Sequence, residues 1–272
     1  DVIISDIRMP GASGLDLQTA DGRFRAMALH NRGGKAPSVL SLAQGPDGDL
    51  WVGTFGDGVY RLRADGSLRH NYDAADGMPG GNIRAISVDP SGVVWAGTQK
   101  GVVRIEGERV HVSDVPGMPG GLITALEHDH QGNLWIGTIE GIRVLRGDHV
   151  QSIDLAPMGG GRSVFGFLQI GEAMWISSDR GLYRWYRNRL SRVGLEQGMP
   201  VDAVFQLVPD RLGNVWISSN RGVLRTDMAT LNAVADGRAP RVTVERYNEI
   251  DGMANAQANG SSAPSAILGQ DG

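Results

Sequence analysis

The stretch Asp129-His130-Gln131-Gly132-Asn133-Leu134-Trp135-Ile136-Gly137-Thr138-Ile139-Glu140-Gly141-Ile142 reads as a turn, a strand and a second turn. Its near-twin is Asp89-Pro90-Ser91-Gly92-Val93-Val94-Trp95-Ala96-Gly97-Thr98-Gln99-Lys100-Gly101-Val102. An Asp caps its own backbone, a Pro presets φ and a Gly supplies positive φ, so Asp89 to Gly92 forms a tight turn. Ala85 to Val88 precedes it as one short strand, and the segment through Trp95 returns as the next. After Gly101 the chain turns again, giving a third strand at Val102–Ile105 and a fourth at Arg109–Val112.

The phrase recurs. Trp51, Trp95, Trp135, Trp175 and Trp216 follow one another at intervals of 44, 40, 40 and 41 residues. Six residues before the Trp stand Asp89, Asp129 and Asp210, with Gly45 and Gln169 in the other two units. Two after it come Gly53, Gly97, Gly137, Ser177 and Ser218, each followed by Thr or Ser. Six after it comes a Gly, shifted by one residue to Gly58 in the first unit. A period near 40 with one Trp per unit is the mark of β-propeller blades. The fold class is therefore all-β, a propeller of four-stranded antiparallel blades, with units at 41–72, 85–112, 124–153, 164–193 and 204–247. Each Trp is expected to fill the gap between adjacent blades. Residues 14–17 and 24–27 are expected to be a partial blade, as are 263–272, which suits a piece of a seven- or eight-bladed ring. Residues 226–240 are extra and are expected to form a long loop.

Between units recur Gly77-Met78-Pro79, Gly117-Met118-Pro119 and Gly198-Met199-Pro200, with weaker copies at Met158 and Met253. They suit crossovers between blades, with Met plugging apolar gaps. Glu127-His128-Asp129-His130 aligns with the repeat's turn and is read as that turn, not as a metal site. No metal and no cofactor is expected. Without cysteine the chain has no disulfide or thiolate site, which fits both periplasm and cytosol. The net charge of −4 suggests no nucleic-acid surface, and no apolar run is long enough to span a membrane. The chain opens without Met and stops mid-phrase, as expected of a fragment.

These phrases resemble the two-component regulator propeller repeat over residues 13–272. The resemblance implies the periplasmic, ligand-sensing part of an inner-membrane receptor, non-catalytic in itself. A histidine kinase or diguanylate cyclase would lie outside this chain. It also implies an unknown small-molecule ligand, a carbohydrate by analogy, and signalling through the dimer geometry of the parent receptor. Two alternatives stand beside it, a metal-dependent propeller lyase and a protein-interaction platform.

Residues 1–12 form a separate N-terminal segment. Asp1 to Gly11 resembles the phosphoacceptor strand of a response-regulator receiver, with Asp6 in the place of the phosphorylated Asp. The acidic pair, Lys and Thr or Ser that this chemistry also needs cannot be placed before the propeller begins. Either a receiver was cut and joined here or the match is accidental.

Second-to-third strand loops and crossovers share one face of the blades. Residues there that differ from unit to unit are the ligand candidates: Phe55, Asn82, Arg84, Lys100, Arg162, Arg180, Asn220 and Arg221. Gln99, Glu140, Asp179 and Asp202 accompany them.

Overall fold

The computed structural model describes residues 2–3, 16–18, 24–27, 29–258, 260, 263 and 264. Two compact units divide it, residues 1–114 with 118–123, and residues 115–117 with 124–272. Asp6 and the terminal stretch 265–272 lie outside the described residues.

Five four-stranded antiparallel sheets form the described chain, each with its strands in sequence order, as propeller blades. Blade 1 comprises Val39–Gln44, Leu50–Thr54, Val59–Leu62 and Leu68–Tyr72. Blade 2 comprises Ala85–Val88, Val94–Thr98, Gly101–Glu106 and Arg109–Val112. Blade 3 comprises Ile123–His128, Leu134–Thr138, Gly141–Arg146 and His149–Ile153. Blade 4 comprises Val164–Ile170, Ala173–Ser178, Gly181–Tyr186 and Arg189–Val193. Blade 5 comprises Val204–Pro209, Asn214–Ser219, Gly222–Asp227 and Glu245–Tyr247. Val2–Ile3, Asp16–Gln18 and Phe24–Ala26 make a further antiparallel sheet of three strands.

The spacing of Asp and Trp now has a cause. Asp129 Oδ1 accepts the backbone N–H groups of Gln131 (3.0 Å) and Asn133 (2.9 Å). Its Oδ2 accepts the Asn133 amide (2.8 Å) and the Trp135 indole N–H (3.0 Å). Asp210 repeats this with Leu212, Asn214 and Trp216, the indole at 3.2 Å. One carboxylate thus closes the turn and anchors the ring six residues on. In blade 4 Gln169 replaces the Asp, and the buried Trp175 indole N–H is left without a partner.

Trp51, Trp135 and Trp175 are buried and Trp95 and Trp216 are half-buried, so the expectation of a filled gap holds fully for three. Trp51 belongs to a core shared with Ile86, Val94 and Val103 of blade 2. Trp135 packs with Phe167 and Ile176 of blade 4, its ring 5.9 Å from that of Phe167. Trp175 packs with Val204 and Ile217 of blade 5. Burying such a ring removes roughly 150–250 Å² from water, worth about 4–6 kcal/mol.

The residue two after the Trp sets how closely sheets approach. A Cβ on Gly97 would stand 2.6 Å from Ile123 Cγ2, and one on Gly137 2.8 Å from Val164 Cγ1. In blade 4 Ser177 takes the place and uses its hydroxyl to bond the Phe205 carbonyl of blade 5 at 2.5 Å. The Thr or Ser that follows has another task than permitting close approach. Thr98 Oγ1 donates to the Gly101 carbonyl (2.9 Å) and accepts the Lys100 N–H (2.9 Å), pinning the next turn. Thr138, Ser178 and Ser219 do the same.

Cross-strand register pairs the Trp with an Arg in four blades: Trp51 with Arg61, Trp95 with Arg104, Trp175 with Arg184 and Trp216 with Arg225. The guanidinium lies 4.9 Å from the Trp51 ring centre, 5.7 Å from that of Trp175 and 5.6 Å from that of Trp216. These are cation–π distances.

Residues 228–235 correct the expectation of a loop. Met228–Ala235 is an α-helix, capped by Asp227, which accepts the Thr230 N–H at 2.7 Å. Leu231, Val234 and Ala235 are its buried face, so an apolar i, i+3, i+4 pattern was present in the sequence. The crossovers also differ from plain turns. Ala74–Asp76, Ala156–Met158, Leu195–Gln197 and Glu249–Asp251 are single 3₁₀ turns, each ended by a left-handed Gly. Met78 and Met199, each directly after the left-handed Gly, plug apolar gaps as expected, whereas Met158 stands before its Gly and is exposed.

The hydrogen bonds of Asp210, from the Asn214 amide foremost, hold its carboxyl down to about 2, against an ordinary 3.8. A lowered native value stabilises the fold above the unfolded value, and that contribution is lost as pH falls from 3.8 towards 2. Asp210→Asn is therefore expected to flatten the dependence of urea-unfolding stability on pH across that window. At pH 7, Asp129→Ala is expected to cost about 1–3 kcal/mol by the same measurement, because the turn amides and the indole lose their acceptor.

Candidate functional site

In the first unit the second-to-third strand loop of blade 1 meets the crossover into blade 2. The Gly56 and Gly58 N–H groups both donate to the Gly81 carbonyl, at 3.0 and 3.1 Å. Beside this junction runs the segment Asn31–Gly33. Together they enclose a cleft of about 420 Å³. Its polar groups are Asn31, Arg32, Asp57, Asn71 and Asp73, and Met78 and Pro79 supply apolar wall.

The groups are unequally paired. Arg32 bridges to Asp73 at 2.7 Å, and Asp73 also accepts the Ala75 N–H at 2.8 Å. Asn31 accepts the backbone N–H groups of Gly33 and Lys35 and donates its amide to Asp57 at 3.2 Å. With its amide turned so that the nitrogen faces them, Asn71 donates to the carbonyls of Val59 (3.2 Å) and Asp57 (3.1 Å). Tyr60, 1% exposed, has a buried hydroxyl with no partner. Burial pushes this phenol up to about 12, the charges of Asp57 and Asp73 adding and that of Arg32 opposing.

Of the residues singled out in the sequence, Phe55 precedes Gly56 of the cleft wall but does not itself line the cleft, and it is 56% exposed. Asn82 and Arg84 are half-buried in the crossover and Lys100 is exposed on the blade 2 loop; none lines the cleft. In blade 4 Asp179 Oδ1 accepts the backbone N–H groups of Arg162 (2.9 Å) and Ser163 (3.0 Å). The Arg180 carbonyl takes the Arg192 Nε–H at 2.8 Å. Arg162, Arg180 and Arg192 are thereby gathered around one loop, and Asn220 and Arg221 lie exposed on the equivalent loop of blade 5. Sequence reading missed Asp57. Its signal was the one-residue shift that moves the first unit's glycine to Gly58, since Asp57 stands immediately before it.

A second hollow, of about 300 Å³, lies between blade 4 and the helix. Arg184, 7% exposed at its side chain, donates there to Asn232 Oδ1 (2.9 Å) and to Asp236. The Asp236 carboxyl is held below its ordinary range by Arg184 first and Arg238 second. Among the described residues no three His, Cys, Asp or Glu side chains converge as metal ligands would.

Residues 33–56, 77–100 and 117–140 match the two-component regulator propeller. The chain carries two-component regulator propeller repeats. Each matched repeat starts in or just before a crossover and ends five residues past the Trp, so it spans a first strand, the turn and the second strand. The unmatched blades 4 and 5 are those with Ser177 and Ser218 in place of the close-approach glycine. Among solved structures, the repeats share their fold with the extracellular domain assigned to the hybrid two component system BT3049 of B. thetaiotaomicron. The identity is 17% and the TM-score 0.63, over 76% of this chain and 30% of that one. A catalytically inactive virginiamycin B lyase from Staphylococcus aureus with quinupristin is similar at 14% identity, TM-score 0.70, over 90% of this chain and 79% of that one. No curated protein matches the chain. The repeat protein thus spans less than a third of the length of the BT3049 domain. Among the described residues no helix is long and apolar enough to cross a membrane.

Asp236→Ala would leave the Arg184 guanidinium buried without its counter-charge. It is expected to cost about 1–3 kcal/mol in urea unfolding. Arg184→Met, which removes the buried charge as well, is expected to cost less than Asp236→Ala.

Proposed function

We propose that this chain is a non-catalytic, ligand-sensing propeller region of a bacterial membrane receptor. It would stand on the periplasmic side, with a histidine kinase or diguanylate cyclase output elsewhere in the parent protein. The observation that carries this reading is the first-unit cleft. It lies where a strand loop and a crossover meet, and its lining includes Asp57, which stands in the one loop of the five that is a residue longer than the rest. Its volume lies in the range of small-molecule sites, about 300–1,000 Å³. The repeat family and the fold shared with an extracellular sensor-system domain support the same reading.

A ligand that touches the loop, the crossover and the Asn31–Gly33 segment at once favours one spacing among the three. That differential affinity is what a sensor transmits, and the dimer of the parent receptor would carry it onward.

The test is a thermal-shift screen of this chain against neutral and charged sugars and small metabolites, with a Gly80→Phe variant to fill the cleft from its wall. Gly80 lines the cleft and its added Cβ would meet nothing closer than 3.6 Å. A ligand at a hundredfold excess over Kd should raise Tm by about 5–10 °C, and Gly80→Phe should abolish the shift. A stable protein partner with no small-molecule shift would favour the interaction platform. Stoichiometric divalent metal in the purified protein would favour a lyase.

A further inference from the structure

We infer that the first-unit cleft recognises a protonated amine on its ligand, with Asp57 as the counter-ion. This rests on the reading of that cleft as the ligand site and adds the chemistry of what it selects. The argument starts from the balance of charge. Two carboxylates, Asp57 and Asp73, and one guanidinium, Arg32, line the cleft. Arg32 is spent on Asp73 at 2.7 Å. Among the described residues the Asp57 carboxylate has a single side-chain donor, the neutral Asn31 amide, 3.2 Å from Oδ1 and 3.4 Å from Oδ2. A half-buried carboxylate has room for about four hydrogen bonds, and a cation satisfies it better than an amide does.

The backbone suits the same ligand, because Gly56, Gly58, Gly80 and Gly81 bring main chain rather than side chain to the cleft wall. Ammonium carries three donors and no acceptor, so carboxylate and carbonyl oxygens are its natural surroundings. The chain's own fold accounts for why Asp57 is there. It is the extra residue of the first unit's loop, and its backbone N–H is tied to Thr54 Oγ1 at 3.2 Å.

The experiment is calorimetric titration of the chain with glucosamine, N-acetylglucosamine, glucose and ethanolamine at pH 6.5. A set of wild type, Asp57→Asn and Asp148→Asn would be used, the last an exposed control that does not line the cleft. Glucosamine or ethanolamine should bind at least tenfold more tightly than the neutral sugars. Asp57→Asn, an isostere that keeps the Asn31 contact within reach, should weaken that binding about tenfold to a hundredfold. Asp148→Asn should leave it unchanged. Equal binding of glucose and glucosamine, unaffected by Asp57→Asn but lost in Gly80→Phe, would overturn the amine and leave the sensing cleft standing. Binding of no probe at all would overturn the amine proposal, and the wider screen above would then decide the cleft.

Discussion

The fold depends on one carboxylate serving two masters. In blades 3 and 5 the Asp at the tip of the first hairpin collects two backbone N–H groups, an Asn amide and the indole N–H of a ring six residues away. The turn cannot open without releasing the ring, and the ring cannot rotate without breaking the turn. Because the indole of blade 3 also sits in a core shared with the next sheet, its local hairpin geometry and its packing between sheets are set together. This coupling explains why the period of the sequence is so strict around the Trp and looser elsewhere.

Most of the architecture was therefore readable from side-chain spacing. The Asp, Gly, Trp, Gly, Thr and Gly positions each proved to have a local task, and the strands fall within a residue or two of where those positions put them. What escaped reading lay where a partner is distant in sequence. Arg61, Arg104, Arg184 and Arg225 recur nine or ten residues after a Trp, yet their meaning appears only when the strand register lays each one across an indole. Arg32 and Asp73 meet across 41 positions, and no pattern in the chain announces that pair. The helix at Met228–Ala235 hid behind a rule of the repeat, which made any surplus residues look like loop.

Blade 4 shows how a departure from the repeat is accommodated. Gly171 and Glu172 replace the Asp-bearing turn, and the Trp175 indole loses its acceptor. Arg184, facing that indole, is instead held by Asn232 and Asp236 from the helix inserted in blade 5. In blade 1, where Gly45 stands in the Asp position, Asp47 and Asp49 hold Arg61 at 2.6 Å each. In both cases acids from elsewhere steady the cation that lies on the ring.

The helix leaves the chain between the third and fourth strands of blade 5, whereas the cleft is built from a second-to-third strand loop and a crossover. Additions of the first kind grow at the hairpin end of a blade. Within one blade the third-to-fourth strand connection and the second-to-third strand loop lie at opposite ends of the strands, so a blade can gain an appendage at one end without disturbing the loop at its other.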